Sequence, residues 1–504
     1  MPRTETMSRT DRRSLLKRAI GGAIGVTAAS TFPTRWTRGS AGLGTAYAKT
    51  QVELPESLIV DFEKSMRGAV IRPSSPEYDT ARRVWNAVID RYPALVARCT
   101  SVEDIQTALQ FAREHDLLTA MRCGAHNYGG TGTCDGGMVL DLSPFAGADI
   151  DVKEKVAYVK GGSGLGELDR ASVPHGLATT AGVVSHTGIG GLATGGGQGR
   201  LGRKHGLTVD NILGVDIVTA DGRLLHASSS ENADLYWAVR GGGGNFGIVT
   251  TFKLQLHDFD PTITSFSYTF GAEHIPTVMS AFFDFAPTAP RELSASVGVR
   301  TSDNGEITCS ISGTYIGKPD VAEKIVAPLQ KLAPVLRTRF EGSEYVKLQS
   351  IVDGPKLSKG GTYMRAGMFN RVDPTQLISA VKEAAALKGP GLSIGFSSQA
   401  GAINDVAADA TAFPHRDALY QCVVSTNWTD LSQTETQQEH VRQTWSILKP
   451  MSTGGVYVNC INDETPEDVR TSFLGSWNRL VAVKTKYDPG NFFRVNVNIP
   501  PRQA

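Results

Sequence analysis

The spacing of apolar residues predicts a small α+β unit at the start of the folded chain. Residues 78–92 have helical spacing at Val84 and Val88, and Ser101 and Asp104 have the spacing of a capping box that opens a second helix. Apolar runs on either side predict strands. The predicted elements are helices over 78–92 and 101–115 and strands over 94–98, 118–122 and 138–142.

A second run of predicted strands follows, interrupted by a segment that fits neither helix nor strand. Residues 179–211 are too rich in glycine for either, and a loop of that length in a compact domain is usually functional. Asp221-Gly222 is a typical hairpin turn. The predicted elements are strands over 155–160, 212–220, 223–227 and 247–256 and a short helix over 234–240.

From about His257 the glycine content falls, and strands alternate with amphipathic helices. Asp303-Asn304-Gly305 is the turn of a predicted hairpin. This pattern predicts an α+β domain with an antiparallel sheet, suited to covering a substrate. The predicted strands are 293–300, 306–316, 392–399, 418–428 and 455–459, and the predicted helices are 320–332, 374–387, 433–448 and 466–487.

The stretch 118–143 carries the first candidate chemistry. Between its two predicted strands lies a loop with six glycines, with Arg122 at its entrance and His126 inside it. Glycines let backbone N–H groups approach an anion closely. Further glycine runs at 161–166, 181–199 and 241–247 predict a large cofactor, since a small phosphate needs only one such loop.

Length and composition narrow the class of protein. A chain of 504 residues predicts at least two domains. The formal net charge of +1 gives no support to nucleic-acid binding or to electrostatic attachment to a membrane. Six cysteines are too few for a disulfide scaffold and lack zinc-site spacing, although a Cys123–Cys134 bridge across the glycine loop stays open.

The first residues predict export instead of fold. Asp11–Lys17 matches the twin-arginine pattern, a moderately apolar run follows, and Ala46-Tyr47-Ala48 is a signal-peptidase site. We therefore expect residues 1–48 to be a twin-arginine signal peptide, with the export machinery as partner and a secreted or periplasmic protein as product. The apolar run is shorter than the ~20 residues that a membrane span needs. A disordered basic tail is the alternative.

Three other motifs have weaker support. Gly242-x-Gly244-x-x-Gly247 matches the dinucleotide fingerprint, but it follows a predicted helix and precedes a strand, which is the reverse of the Rossmann order. The histidines have no metal-site spacing, so we expect no metal. Ser185-His186 lacks the GxSxG elbow of a nucleophilic serine.

Several long motifs occur in order along the chain: RCGAHNYGG at 122–130, GIGGLATGGG at 188–197, KHGLTVDN at 204–211, LYWAVRGGGGNFG at 235–247, TAFPHR at 411–416 and the C-terminal YDP…N at 487–498. These motifs resemble those of berberine-bridge-enzyme-like oxidoreductases in the vanillyl-alcohol-oxidase flavoprotein superfamily. The resemblance covers nearly all of the chain after the signal.

The resemblance implies an α+β, two-domain, PCMH-type FAD-binding fold with an antiparallel-sheet substrate domain. It implies an FAD-binding domain over 78–256, a substrate-binding domain over 257–455 and a C-terminal segment over 456–504 that returns to the FAD domain. The activity implied is hydride transfer from a hydroxyl- or amine-bearing small molecule, such as a sugar, aromatic alcohol or natural product, to FAD and then to O2.

The same resemblance assigns residues to the cofactor. His126 is expected to carry FAD through a covalent histidyl bond. Many relatives have a second bond from a cysteine in the loop that here spans 181–191, and Val184 stands at that position, so a single link is expected. The other expected cofactor-binding residues are Arg122, Gly124, Ala125, Asn127, Gly129, Gly188, Gly191, Gly195, Gly196, Asn245, Gly247, Asn496 and Asn498.

The catalytic residues are less well defined by the resemblance. Tyr128 matches a tyrosine that faces substrate in relatives. The strand where relatives place a base reads LYQCVVSTNW at 419–428, without Asp or Glu. The expected catalytic candidates are Tyr128, Tyr457, His415 and Gln421. The missing carboxylate leaves two alternatives open, a flavin-binding protein with reduced or lost catalysis and a dehydrogenase with an acceptor other than O2.

Overall fold

The computed structural model describes residues 54–502, apart from 352, 371–372 and 388. The predicted signal peptide therefore lies outside the described residues. The first part of the described chain holds strands β1 (Val70–Ile71), β2 (Leu95–Arg98), β3 (Thr119–Arg122), β4 (Met138–Asp141), β5 (Ala148–Asp151), β6 (Val156–Lys160), β7 (Leu177–Ala178), β8 (Ile212–Val218), β9 (Leu224–Ser228), β10 (Ile248–Gln255) and β11 (His257–Asp258).

The helices are spread over the whole described chain. They are α1 (Glu56–Ser65), α2 (Tyr78–Ala81), α3 (Val102–Glu114), α4 (Leu165–Ser172), α5 (Ile189–Thr194), α6 (Gly202–His205), α7 (Ala233–Val239), α8 (Ile275–Phe285), α9 (Pro319–Gln330), α10 (Tyr345–Ile351), α11 (Pro374–Ala385), α12 (Ala402–Asp405), α13 (Thr434–Leu448), α14 (Pro466–Ser472) and α15 (Trp477–Tyr487).

A small mixed sheet holds the glycine loop that follows β3. Its order is β1–β2–β4–β3, and β4 pairs in parallel with both β2 and β3. β2 and β3 therefore run parallel on either side of β4, and α3 supplies the crossover that joins them. The predicted cap is present, because the Ser101 side chain accepts a hydrogen bond from the Asp104 N–H. Residues 123–137 thus leave the carboxyl end of β3 as one long loop.

The second sheet is antiparallel, with the order β5–β6–β10–β8–β9. The predicted turn joins β8 to β9, and Gly222 has a φ of 84° there, which glycine adopts without strain. The glycine-rich motif at 242–247 lies between α7 and β10, as expected from its order in the sequence. It is therefore a turn next to the sheet and not the opening of a Rossmann helix.

The third sheet is also antiparallel and has the order β15–β12–β14–β13–β17–β18–β16. Its core face packs on α8, α11 and α13 through one apolar cluster. The predicted hairpin between β13 and β14 is confirmed. The strands are β12 (Thr262–Gly271), β13 (Leu293–Thr301), β14 (Ile307–Ile316), β15 (Val335–Glu344), β16 (Gly361–Phe369), β17 (Leu392–Ser398) and β18 (Tyr420–Trp428).

Two predicted elements are replaced by irregular backbone, and both lie next to the site described below. The helix expected over 78–92 ends at Ala81, because the Trp85 N–H donates to the Ala125 carbonyl and the Asn86 side chain donates to the Tyr128 carbonyl. The strand expected over 455–459 is instead a 3₁₀ turn at Val458–Cys460. Long-range hydrogen bonds outweigh the local pattern in both segments.

Two further predictions were wrong in detail. The helix expected over 466–487 is two helices, α14 and α15, separated at Leu474, which has a φ of 44°. The glycine-rich run at 179–211 does contain helix, since α5, α6 and a 3₁₀ turn at Thr208–Asn211 form within it. Across the described residues, no helix combines the length and apolar character needed to cross a bilayer.

Candidate functional site

A cavity of about 820 Å³ lies between the glycine loop and the third sheet. That volume is within the range of roughly 300–1,000 Å³ typical of cofactor and small-molecule sites. One wall consists of the loop after β3, the 182–191 segment, the 242–247 turn and the C-terminal segment 495–497. The opposite wall is the open face of the third sheet.

Two glycine segments touch where a side chain would not fit. A Cβ atom on Gly124 would lie 2.2 Å from the Gly188 nitrogen, and one on Gly188 would lie 2.2 Å from the Cys123 sulfur. At Gly191, by contrast, no heavy atom lies within 4 Å of the added Cβ position. The Gly124–Gly188 contact holds the two loops together, whereas the open position at Gly191 leaves space for a ligand beside the backbone.

His126 and His186 form a hydrogen-bonded pair where these loops meet. His126 Nε2 lies 2.7 Å from His186 Nδ1, and His186 Nε2 lies 3.0 Å from the carbonyl oxygen of Gly354. Because a carbonyl can only accept, the His186 Nε2 carries a proton and its Nδ1 accepts when the ring is neutral. His126 Nε2 is then the donor, and His126 Nδ1 keeps its lone pair.

The surroundings of His126 keep the imidazole neutral. Burial, with a smaller contribution from the nearby His186, lowers the pKa of His126 to about 4. Trp85 stacks on the ring, with 5.5 Å between ring centroids and 19° between ring planes. At neutral pH, His126 is therefore an oriented, uncharged nucleophile.

Arg122 anchors the glycine loop, and its positive charge is paired with a carboxylate. Its Nη2 lies 2.7 Å from Asp141 Oδ2, and its Nη1 donates to the carbonyl of Ala81 at 2.5 Å. Both ion-pair partners are buried. The guanidinium thus fixes the end of β3 to β4. Because its charge is already paired with Asp141, Arg122 lines the cavity without offering it a free positive charge.

The sequence-predicted residues divide into two groups by position. Those that line the cavity are Arg122, Gly124, Ala125, His126, Asn127, Tyr128, Gly188, Gly191, Gly247, Gln421, Tyr457 and Asn496. Those that stand outside its lining are Gly129, Gly195, Gly196, Asn245, Asn498 and His415.

The second group supports the wall. Gly195 packs against Asn459, Gly196 packs against Tyr457, and the Asn245 side chain donates to the carbonyls of Gly242 and Val497. His415 is buried behind the wall, with Gly455 against its ring.

Tyr457 is a buried phenol whose oxygen faces several donors. Its hydroxyl oxygen accepts from the N–H groups of Gly197 at 2.8 Å and Gln198 at 3.4 Å, and from Asn459 Nδ2 at 2.7 Å. Burial raises the pKa of Tyr457, while these three donors act in the opposite direction. Such donors stabilise a negative charge on the oxygen when one develops.

Tyr128 and Gln421 complete the inner end of the cavity. Burial raises the pKa of Tyr128 to about 12, so its hydroxyl stays protonated at neutral pH and can donate. Gln421 Nε2 lies 3.5 Å from Cys460 Sγ. Among the described residues that line the cavity there is no Asp or Glu. The acid–base side chains that line it are therefore histidine, phenol and thiol.

A row of polar residues crosses six strands of the third sheet and lines the cavity; we call it the polar row. It consists of Arg339, Ser267, Ser312, Ser296, Ser397 and Gln421, each paired with the next across neighbouring strands. Strands lie about 4.8 Å apart, so the row extends for roughly 24 Å. The alternation of serine with apolar residues in β12–β14 could be seen in the sequence. The pairing register that aligns these serines across the sheet could not.

The cysteines next to the loop are thiols. Cys123 Sγ lies 3.5 Å from the Ser163 carbonyl and Cys134 Sγ lies 3.6 Å from the Leu118 carbonyl, and neither is in a disulfide. The bridge that the sequence left open does not form in this structure. No group of three or more potential metal ligands occurs within the part of the chain that the structure describes.

Comparison with known proteins gives two matching family models. One, described as an FAD binding domain, matches residues 93–228, and the other, described as berberine and berberine like, matches residues 456–500. These spans contain the glycine loop and the C-terminal wall of the cavity.

Relatives and solved structures match over most of the chain. (R)-6-hydroxynicotine oxidase of Paenarthrobacter nicotinovorans is 30% identical, covering 87% of this chain and 97% of the relative. Glucooligosaccharide oxidase of Sarocladium strictum is 29% identical, covering 85% and 91%. The crystal structure of 6-hydroxy-D-nicotine oxidase from Arthrobacter nicotinovorans is 27% identical with a TM-score of 0.81, covering 89% of this chain and all of that one.

Proposed function

Because the chain belongs to the berberine-bridge-enzyme-like family of FAD-linked oxidoreductases, we propose that it is an oxidase of small molecules that carry a hydroxyl or amine group. Its cofactor is FAD. The observation that carries the proposal is the cavity itself, which places His126 and a buried phenol opposite a polar sheet face. Relatives named as oxidases of 6-hydroxynicotine and of glucooligosaccharides support both substrate classes.

The residues present fit FAD. The space beside Gly191 admits a ligand against the backbone, and Asn496 lines the cavity with a buried Oδ1 that has no partner among the described residues. A buried polar atom without a partner costs free energy unless a ligand supplies one. Asn127, Asn496 and the backbone of residues 188–191 would hold the cofactor, which supplies hydride acceptance when bound.

We propose a single covalent bond between FAD and His126. The hydrogen bond from His126 Nε2 to His186 leaves Nδ1 with a lone pair that no described residue engages. Burial keeps the ring neutral at physiological pH, which preserves that nucleophile. Val184 lines the cavity on the neighbouring loop, where a thiol would be needed for a second bond.

The polar row supports a hydroxyl-rich substrate, such as a sugar, among the classes considered. Serine hydroxyls both donate and accept, so they bind sugar-like hydroxyl groups without a charge. The row ends at Gln421, next to Cys460 and near Tyr128. A bound molecule could therefore lie along the row with its reacting carbon at the Gln421 end.

Tyr457 is our assignment for the group that takes the substrate proton. No carboxylate lines the described cavity, and the three N–H donors that face the Tyr457 oxygen favour its phenolate, which is the form that accepts a proton. Tyr128 donates a hydrogen bond to the substrate oxygen or nitrogen, and Gln421 orients it. These residues exclude water from the inner end because all three are buried or half-buried.

Anaerobic reduction tests the activity directly. Holoenzyme is mixed without O2 with a panel of sugars, aromatic alcohols and amines, and the flavin absorbance is followed. We expect at least one class to bleach the flavin completely. A panel that leaves the flavin oxidised would favour the alternative of a flavin-binding protein with lost catalysis.

The electron acceptor needs a separate measurement. The proposal is that O2 reoxidises the enzyme and forms hydrogen peroxide. We expect peroxide in stoichiometric yield with substrate when air is admitted to the reduced enzyme. Reduced flavin that persists in air but is reoxidised by an artificial dye would instead identify a dehydrogenase.

Export by the twin-arginine route is also a proposal, since residues 1–48 lie outside the described residues. The support is the Arg12-Arg13 pair followed by an apolar run and Ala46-Tyr47-Ala48. Replacement of both arginines by lysine is expected to keep the full-length protein inside the cell. Unchanged export and processing of that variant would contradict the proposal.

A further inference from the structure

We propose that His186 is the proton acceptor for covalent attachment of FAD to His126. The inference rests on the proposed histidyl link and concerns a residue that the sequence did not assign to the site. Its basis is a continuous hydrogen-bonded line from His126 through His186 to the Gly354 carbonyl, with distances of 2.7 Å and 3.0 Å.

The line has only one proton arrangement when both rings are neutral. Gly354 supplies a carbonyl oxygen, which fixes the proton on His186 Nε2 and leaves His186 Nδ1 as an acceptor. His126 must then donate through Nε2. The remaining nitrogen, His126 Nδ1, is the nucleophile. His186, which activates it, is hydrogen-bonded to the other nitrogen of the same ring, His126 Nε2.

The loop that carries His186 is held in place by several independent contacts. The Ser185 N–H donates to Asp353 Oδ1 at 2.7 Å, and the Ser185 hydroxyl donates to the other oxygen of the same carboxylate. Gly188 touches Gly124, which brings the loop against the strand-loop that carries His126. This fixed geometry is what an acid–base partner requires.

The bond-forming step can be balanced with these groups. A C–N bond forms between His126 Nδ1 and the methyl carbon of the flavin ring, and that carbon loses one proton to solvent. The ring system takes up the two electrons, which O2 later removes to form hydrogen peroxide. The positive charge that would develop on His126 is relieved as its Nε2 proton passes to His186 Nδ1.

The charge on His186 after proton transfer has nearby compensation. The Asp353 carboxylate is held by Ser185, the residue next to His186, and it acts to raise the pKa of His126. The Gly354 carbonyl accepts from the opposite nitrogen of His186.

The test measures covalent incorporation and does not depend on turnover. Full-length apoprotein of the wild type and of His186→Ala is mixed with FAD, and samples are denatured in acid at intervals to measure flavin that stays on the protein. We expect His186→Ala to slow incorporation by roughly 100- to 10,000-fold. Added imidazole should restore part of the rate, which a purely structural role would not produce.

Matched variants separate this inference from the covalent link itself. Ser185→Ala removes the hydroxyl contact with Asp353 but keeps the Ser185 N–H contact, the Gly124–Gly188 contact and both rings, so its incorporation rate should stay within about tenfold of the wild type. Non-covalent FAD binding, measured by quenching of flavin fluorescence, shows whether each variant is folded.

Three outcomes are decisive. Slow attachment in His186→Ala with intact binding and imidazole rescue supports the inference. A wild-type rate of attachment in His186→Ala overturns the inference. If His126→Ala then still lacks acid-stable flavin, the proposed histidyl link stands. Acid-stable flavin in His126→Ala would overturn the proposed link and the inference with it.

Discussion

At the residue scale, the chemistry of the site depends on which nitrogen or oxygen is already occupied. His126 has one ring nitrogen in a hydrogen bond and one available. Tyr457 has an oxygen that three N–H groups face, whereas Tyr128 has a hydroxyl that stays protonated. The residue types could be identified from the sequence. The His186 partner could not, because the two histidines are 60 positions apart and only the fold brings them together.

Val184 gives the first residue-scale prediction. If it occupies the position from which relatives form a second bond, a thiol there should attach to the flavin. We expect His126→Ala to lose acid-stable flavin and His126→Ala/Val184→Cys to regain it, measured as absorbance of acid-precipitated protein. Colourless precipitate from the double variant would contradict this placement of Val184, and Val184→Ala in the same background serves as the control.

Tyr457 gives the second residue-scale prediction. Removal of its hydroxyl by Tyr457→Phe deletes the proposed proton acceptor and should lower the anaerobic rate of flavin reduction by roughly 100- to 10,000-fold. Stopped-flow absorbance with a reducing substrate measures that rate. Tyr128→Phe is the comparison, and its effect should fall mainly on substrate affinity. A rate within threefold of the wild type for Tyr457→Phe would remove it from the mechanism.

At the element scale, local patterns predicted many of the strands and helices that pack through their own apolar face, but not β12, β15, β16 or α8. β13, β14, α11 and α13 agree with the sequence to within a few residues. The predicted elements that did not form lie where distant partners decide the backbone. The backbone of residues 82–92 is set by hydrogen bonds from Trp85 and Asn86 to the glycine loop. The polar row forms only because the register of the strands places its residues side by side. Periodicity carries no information about either.

Helix α15 offers a test of how the C-terminal segment is held against the cavity wall. Lys484 is fully buried, and its Nζ lies 2.6 Å from Asp488 Oδ2 and 2.9 Å from the carbonyls of Asn245 and Phe493. Lys484→Met leaves that carboxylate buried without its cation. We expect a loss of about 3–5 kcal/mol in the free energy of unfolding, measured with urea.

The exposed neighbour Lys486 provides the control for this prediction. Its ion pair with Asp234 has a side-chain exposure of 58% for the lysine. Lys486→Met should therefore cost less than about 1 kcal/mol. Equal losses for the two variants would show that the buried lysine does not anchor the segment.

At the scale of the whole molecule, burial of neutral histidines links stability to pH. Burial lowers the pKa of His415 to about 4, against an ordinary value near 6.5. The folded state therefore disfavours the charged ring. The stability that His415 contributes is fully present above about pH 6.5 and is lost as the pH falls towards 4.

A comparison at two pH values checks this sign. His415→Asn removes the titrating group, so the stability difference between wild type and variant should shrink as pH falls from 7.5 to 5. Roughly 1–2 kcal/mol of the difference should disappear over that window. Urea unfolding at both pH values measures it, and a difference that grows at low pH would contradict the assignment.

The two-part architecture explains why the cofactor side could be predicted more fully than the substrate side. Loops that approach a ligand closely need glycine, so the glycine runs predicted a large cofactor. The resemblance of the motifs at 122–130, 188–197 and 235–247 to a known family then implied FAD. Substrate recognition depends on a sheet face assembled from six strands. Its serines gain meaning only after the strands are in register.

The most direct test of the account is the mass of the peptide that carries His126. Holoenzyme is digested under acid conditions, and fragment spectra locate the flavin. The account predicts one flavin, attached to His126, with the peptide that contains Val184 unmodified. A flavin-free His126 peptide, or flavin attached at any other residue, would contradict it.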